Sequence, residues 1–164
     1  MIRVLSLIAT LSAASLLIAA PVMATEGCPS SSGRAALSTL LDRYVAAVNA
    51  HDTSLFPALF AEEYMQHSGR SPSGLPAQIA NFQHILELWP DIQMQVEDRI
   101  IADDKIAARV TFTATHSRTV ANVAPTGRKV SFGTMDIWRV ECGKLAEHWD
   151  LVDTAGLQKQ LRGE

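Results

Sequence analysis

At Pro90 the spacing of apolar residues changes period, and no other feature of the sequence limits the fold as strongly. Before it, Leu37, Leu40, Leu41, Tyr44, Val45 and Val48 recur every three or four residues, the repeat of one helix face. Ile79, Phe82, Ile85, Leu86 and Trp89 repeat that pattern up to the proline. A shorter helix is expected over Ser54 to Ala61, with Thr53 or Ser54 as cap and Leu55, Leu59 and Phe60 turned inward. After it, Glu63 to His67 should run extended into a loop rich in Pro and Gly. Beyond Pro90, Ile92, Met94 and Val96 alternate with Gln93, Gln95 and Glu97, as in a half-buried strand. Ile106 to Ala114, Val130 to Val140 and Leu145 to Val152 make three further strands. Asp103-Asp104, Pro125-Thr126-Gly127 and Glu141-Cys142-Gly143-Lys144 read as the turns around them. A short helix over Leu157 to Leu161 ends the pattern. Helices followed by hairpin-linked strands define an α+β domain. Strands this long must twist, so a curled, mostly antiparallel sheet with three N-terminal helices across its concave side would enclose a pocket.

The ends and the charge bound where such a domain works. Arg3, the apolar run Val4 to Ala20 and the small residues of Val22-Met23-Ala24 have the three-part layout of a signal peptide over residues 1–24. The competing reading is an uncleaved membrane anchor, since the apolar run approaches spanning length. Pro21 and the small residues favour cleavage after Ala24, which implies a periplasmic or secreted protein with no stable membrane anchor. Thr25-Glu26-Gly27 lacks the apolar residue expected three positions before a lipidated cysteine, so Cys28 is not read as a lipid site. Residues 25–33 form a tail and 34–162 one domain, a size that supports a single core. The formal net charge is −3 with no basic run, which argues against nucleic acid as partner. Cys28 and Cys142 would meet an oxidising compartment, where a disulfide between them is plausible, although spacing alone does not show that the sulfurs meet. No HxH or HExxH spacing, Gly-rich phosphate loop or nucleophile elbow occurs, so neither metal nor cofactor is expected.

The stretch most suggestive of chemistry is Glu147-His148-Trp149-Asp150-Leu151-Val152-Asp153. On a strand, His148 and Asp150 point to the same face. Together with Tyr64-Met65-Gln66-His67, Trp89-Pro90-Asp91, Thr115-His116, Pro125-Thr126-Gly127-Arg128 and Gly143 to Asp150, in this order across residues 37–161, the chain resembles the SnoaL-like polyketide cyclases of the nuclear transport factor 2-like superfamily. The resemblance implies a cone formed by a curved mixed sheet and three helices, often paired as a dimer through the sheet. It also implies cofactor-free intramolecular aldol closure with an inward carboxylate as general acid/base. That carboxylate carries over to Asp150. The family's polar neighbours fall at Thr134 and Asp136, where the characterised cyclases offer a Gln/His-type pair. Asp136 departs from that pattern, and so does the export signal.

Each of these residues has a bland reading beside the functional one. Asp150 is either a proton-transfer group or a solvated or arginine-paired strand residue. Asp136 shares a face with Phe132, Trp138 and Val140, so it is either functional or hydrogen-bonded to a partner. Counting outward from the Cys142-Gly143 turn pairs Ile137 with His148 and leaves Asp136 opposite Trp149. His148 and His67 are candidate oxyanion donors or carboxylate orienters, or else histidines satisfied by backbone; His116, at a strand end, reads as structural. Tyr44, Met65, Asn81, Trp89, Thr134 and Trp138 are expected to line the pocket with His67, and Tyr44, Met65, Asn81 and Trp89 read equally as plain core. The expected ligand is a small, largely apolar organic molecule, and the expected activity that of a cyclase, isomerase or lyase. The alternative is a non-catalytic ligand-binding or protein-association module on the same scaffold. A homodimer is expected through the outer face, where Thr111, Thr113, Met135 and Ile137 are uncharged.

Overall fold

The computed structural model describes residues 33–164. The expected signal peptide, Cys28 and all of the tail but Gly33 lie outside the described residues. Cys142 is held in a disulfide, and the pairing expected of it, with Cys28, lies outside them too.

The helical half follows the apolar spacing closely. Helix α1 (Arg34–Asn49) buries Leu37, Leu40, Leu41, Tyr44, Ala47 and Val48, one stripe of its surface. Its end is tied to the sheet by a side chain that imitates a strand. The Asn49 amide donates to the Met94 carbonyl at 3.0 Å and accepts the Met94 N–H at 2.7 Å. Next come a 3₁₀ turn (Thr53–Leu55) and a single turn of helix, α2 (Phe56–Leu59). The cap is Asp52, ahead of the expected Thr53 or Ser54, and it accepts the Ser54 N–H at 2.9 Å. The expected helix to Ala61 stops at Leu59, because Phe60 starts strand β1 (Phe60–Gln66) and pairs with Leu145. Tertiary pairing overrides local spacing there. Leu55, expected inward, is 46 % exposed, whereas Leu59 and Phe60 are buried. Helix α3 (Leu75–Leu88) follows the loop at residues 67–74, whose last residue, Gly74, has φ of 100°, a conformation few side chains tolerate.

The strands are β2 (Gln93–Ala102), β3 (Lys105–Thr115), β4 (Lys129–Glu141) and β5 (Lys144–Val152), and helix α4 (Thr154–Arg162) closes the fold. They form one sheet in the order β1-β5-β4-β3-β2, parallel only where β1 meets β5. This is the curved, mostly antiparallel α+β architecture anticipated above. At the β4–β5 turn, Cys142 and Gly143 both have positive φ (52° and 72°) and Glu141 faces Lys144. That is a two-residue hairpin whose twist matches its strands.

One residue of β5 decides what the sheet presents inward. Val140 pairs with Leu145, but Arg139 pairs with Glu147, so Ala146 is an extra residue in a β-bulge. The register counted from the turn is therefore wrong by one beyond the bulge. Trp138 faces His148, Ile137 faces Trp149, and Asp136 faces Asp150. Leu145 and Ala146 are both buried, so burial of two consecutive side chains accounts for the bulge.

The core lies between the concave face of the sheet and α1–α3. Tyr44, Phe56, Phe60, Tyr64 and Trp138 form edge-on and tilted ring pairs with centroids 5.0–6.1 Å apart. Such pairs add about 0.5–1.5 kcal/mol each beyond area burial. On the outer face, Met135, Ile137 and Leu151 are 55, 43 and 77 % exposed.

Candidate active site

Between the concave face, α1, α3 and α4 lies a cavity of about 320 Å³. The inward positions of β4 supply Phe132, Thr134, Asp136 and Trp138; those of β5 supply His148, Asp150 and Val152. Helix α3 adds Gln78, Asn81, Phe82 and Ile85, and the loop at 67–74 adds Ser68, Arg70 and Ser71 at the mouth. Most of the wall is hydrocarbon, and the polar groups gather on β4 and β5 and under the loop.

Those polar groups form a connected chain. Thr134 Oγ1 donates to Asp136 Oδ2, and His148 Nε2 lies 2.9 Å from Asp136 Oδ1. The other ring nitrogen, Nδ1, is 3.0 Å from Gln66 Nε2. The orientation of the Gln66 amide is set independently, because its Oε1 accepts the Ser68 N–H at 3.2 Å. Gln66 therefore donates to Nδ1, and the neutral imidazole carries its proton on Nε2, pointed at Asp136. The ring is stacked on Trp138, with centroids 5.0 Å apart and planes 3° from parallel. In this arrangement both nitrogens of His148 and both oxygens of Asp136 are engaged.

Asp150 is engaged at one oxygen only. Its Oδ2 pairs with Arg70 from the loop, and its side chain is 6 % exposed. Its Oδ1 is buried and has no hydrogen-bond partner. Of the alternatives open for Asp150, the arginine pair is present, yet one acceptor of the carboxylate remains available to a ligand. Gln78 Oε1 is a second buried acceptor on the cavity wall without a partner. Burial, then the charge of Asp136, pushes the Tyr44 phenol well above its ordinary range. Tyr64 is pushed up too, by burial first and then by Tyr44 and Asp136. Both phenols thus stay protonated at neutral pH, as donors and not bases.

Tyr44, Asn81, Trp89, Thr134, Asp136, Trp138, His148 and Asp150 all line the cavity as anticipated. Met65 and His67 do not. On β1, Tyr64 and Gln66 take the inward positions, so the alternate residues face away. Met65 is 47 % exposed. His67 stacks on Trp149 at 4.3 Å, with Nε2 2.8 Å from Glu147 Oε2, outside the cavity. His116 is fully buried, with Nδ1 3.0 Å from Thr126 Oγ1. Sequence reasoning missed Arg70, Gln66 as an orienter, and Gln78. Arg70 sits among Ser and Gly in a loop, where an arginine reads as solvated, and Gln66 carried a signal only through its alternation with Tyr64. Among the described residues no three His, Cys, Asp or Glu gather as metal ligands. No described helix is long and apolar enough to cross a membrane.

A curved sheet wrapped by helices around a lined cavity, with carboxylates and an imidazole on its last two strands, defines a nuclear transport factor 2-like α+β protein. The model of the SnoaL-like polyketide cyclase family matches residues 38–161, and the chain belongs to that family. It is similar to TsrD from Streptomyces laurentii at 28 % identity and TM-score 0.73, over 79 % of this chain and 96 % of TsrD. It is also similar to AclR from Streptomyces galilaeus, a candidate hydroxylase, at 28 % identity and TM-score 0.72, over 80 % of this chain and 99 % of AclR. The structure of IdmH, a candidate polyketide cyclase from Streptomyces antibioticus, aligns at 25 % identity and TM-score 0.68, over 76 % of this chain and 97 % of IdmH. No curated protein sequence matches the chain.

Proposed function

We propose that this cyclase-family protein binds a small, largely apolar carbonyl compound and performs cofactor-free acid/base chemistry on it, of the cyclase, isomerase or lyase kind. The observation that carries this reading is the unpartnered Oδ1 of Asp150, a buried acceptor beside the hydrogen-bonded Thr134, Asp136 and His148 and facing hydrocarbon walls. In an aldol-type closure Asp150 Oδ1 takes a proton from the carbon beside a carbonyl and returns it after the bond forms. Asp136 and His148 are positioning groups: with their hydrogen-bonding atoms already engaged, they hold the strand faces that present Asp150. Asp150→Asn keeps the shape and removes the base. Turnover should fall on the order of 10²–10⁴-fold, the usual share of general acid/base catalysis. Because Arg70 is 49 % exposed and can turn to water, the melting temperature should change little.

The ion pair with Arg70 favours a second reading, a non-catalytic ligand-binding module in which Asp150 is structural. A marked loss of melting temperature in Asp150→Asn, with ligand binding intact, would select it. The resemblance of AclR and IdmH to the same chain supports a scaffold that takes more than one chemistry, so the reaction is to be read from the site. We further propose export by a cleaved signal peptide, tested by N-terminal sequencing, which should begin at or near Thr25. Pairing of two copies through Met135, Ile137 and Leu151 completes the reading, since an apolar outer sheet face suits a covered surface.

A further inference from the structure

Resting on the acid/base reading above, we propose that Arg70 is a second catalytic residue. Its guanidinium takes the carbonyl oxygen of the substrate and holds the enolate that Asp150 generates. Three observations carry this. Arg70 lines the cavity mouth yet bonds only one oxygen of Asp150, so most of its five donors remain for a ligand. The free Oδ1 belongs to that same carboxylate, so a carbonyl oxygen resting on Arg70 brings its α-carbon next to the base. Among the described residues lining the cavity, Arg70 is the one Lys or Arg.

The charge accounting favours the assignment. Before reaction the mouth of the cavity holds one guanidinium and the Asp150 carboxylate, with the Asp136 carboxylate held separately by Thr134 and His148 and unchanged through the step. The α C–H bond breaks, its proton forms an O–H bond at Asp150 Oδ1, and the electron pair moves onto the carbonyl oxygen. The negative charge has then passed from Asp150 to the enolate while the cation beside both stays in place. No unpaired charge is created against the apolar wall, where it would be costly. After carbon–carbon bond formation the proton returns from Asp150 to the new alkoxide. Any carboxylate is a weak base against the α C–H of a simple ketone, so the site selects a C–H made acidic by a second carbonyl or an aromatic ring beside it. The hydrocarbon walls take the rest of such a molecule.

The test uses the folded protein with 2-tetralone in D₂O, following exchange at the carbon between carbonyl and ring by NMR. The wild type should exceed buffer. Asp150→Asn should abolish the excess, and Arg70→Gln should lower it on the order of 10²–10³-fold, as when an oxyanion donor is removed. Arg70→Ala should recover exchange on addition of millimolar ethylguanidinium, a response that mere loss of a loop contact would not give. If Arg70→Gln exchanges at the wild-type rate while Asp150→Asn does not, the role of Arg70 is overturned and the acid/base reading stands. If Arg70→Ala is slow but ethylguanidinium does not restore it, Arg70 acts only through the loop and the proposal fails. If the wild type at saturating 2-tetralone is no faster than buffer, both fail together.

Discussion

Replacing His148 with phenylalanine isolates what its two nitrogens contribute. Phenylalanine keeps a flat ring over Trp138, which now stacks on the imidazole at 5.0 Å, so the packing term is largely preserved. What is lost is the 2.9 Å contact to Asp136 Oδ1 and the acceptor for Gln66. Asp136 is 6 % exposed and retains only Thr134, so one oxygen of a buried carboxylate is left without a donor. A hydrogen bond to a charged group contributes about 1.5–3 kcal/mol. Gln66 recovers part of its own loss, because its amide can turn to the cavity. The expected destabilisation is therefore about 2 kcal/mol, roughly 6–8 °C in melting temperature for a domain of this size. Urea unfolding followed by far-ultraviolet circular dichroism measures it without relying on tryptophan emission. The decisive quantity is the coupling in a cycle with Asp136→Leu, which removes the orphaned acceptor as well. The double variant should be more stable than the sum of the single losses predicts, by about 1–2 kcal/mol. Additivity within about 0.5 kcal/mol would show that His148 and Asp136 do not act as a pair, and the positioning role would go with it.

Asp91 binds the Thr115 N–H at 2.8 Å and the Thr115 hydroxyl at 2.6 Å, with Lys129 at 3.0 Å. The Thr115 hydroxyl and N–H, then Lys129, hold its carboxyl well below the usual carboxylate range. Because the folded state favours the ionised form, the stability it contributes is present above about pH 4 and lost as pH falls further. Asp91→Asn should cost about 1 kcal/mol at pH 7, discounted because the side chain is 42 % exposed, and the gap to wild type should shrink in acid melts. Glu147, bound by His67 and Arg139 and held below its ordinary value by them, lies outside the cavity. Glu147→Gln should leave turnover unchanged and lower the melting temperature slightly at low salt only; a loss of turnover would contradict the separation of the two faces. Leu151→Lys should yield monomers by light scattering if the outer face is the contact between copies, and unchanged dimers would move the interface elsewhere.

Period and turn chemistry made most of the fold legible. Leu37 to Val48 declared one helix face, and Cys142-Gly143 declared a two-residue hairpin, because both signals are local. Phe60 was misread because its strand exists only through pairing with Leu145, which is distant in sequence. The cavity wall was legible where alternation was regular, as from Phe132 to Trp138. It was not on β1, where nothing local told which of Tyr64-Gln66 or Met65-His67 would face inward. Arg70 was invisible for a different reason: a loop has no period, and its partner Asp150 lies 80 positions on. Two of the motifs, Trp89-Pro90-Asp91 and Thr115-His116, form one joint with the lysine that follows a third. Asp91, Thr115 and Lys129 meet where the end of α3 is fastened to β3 and β4.

The bulge at Ala146 makes β5 a sentence with two readings. Paired straight from its turn, the strand would set Glu147, Trp149 and Leu151 against the cavity and show His148 and Asp150 to the outside. With one residue looped out, the same letters place an imidazole and a carboxylate inside, opposite Trp138 and Asp136. Such an arrangement separates drift in composition from drift in length. Substitutions along β5 alter the site by degrees, whereas one added residue paired without a second bulge exchanges one cavity lining for another; loss of Ala146 itself does not, because the straightened ladder still sets His148 against Trp138. Such insertions are the changes by which relatives sharing every motif residue hold different chemistry.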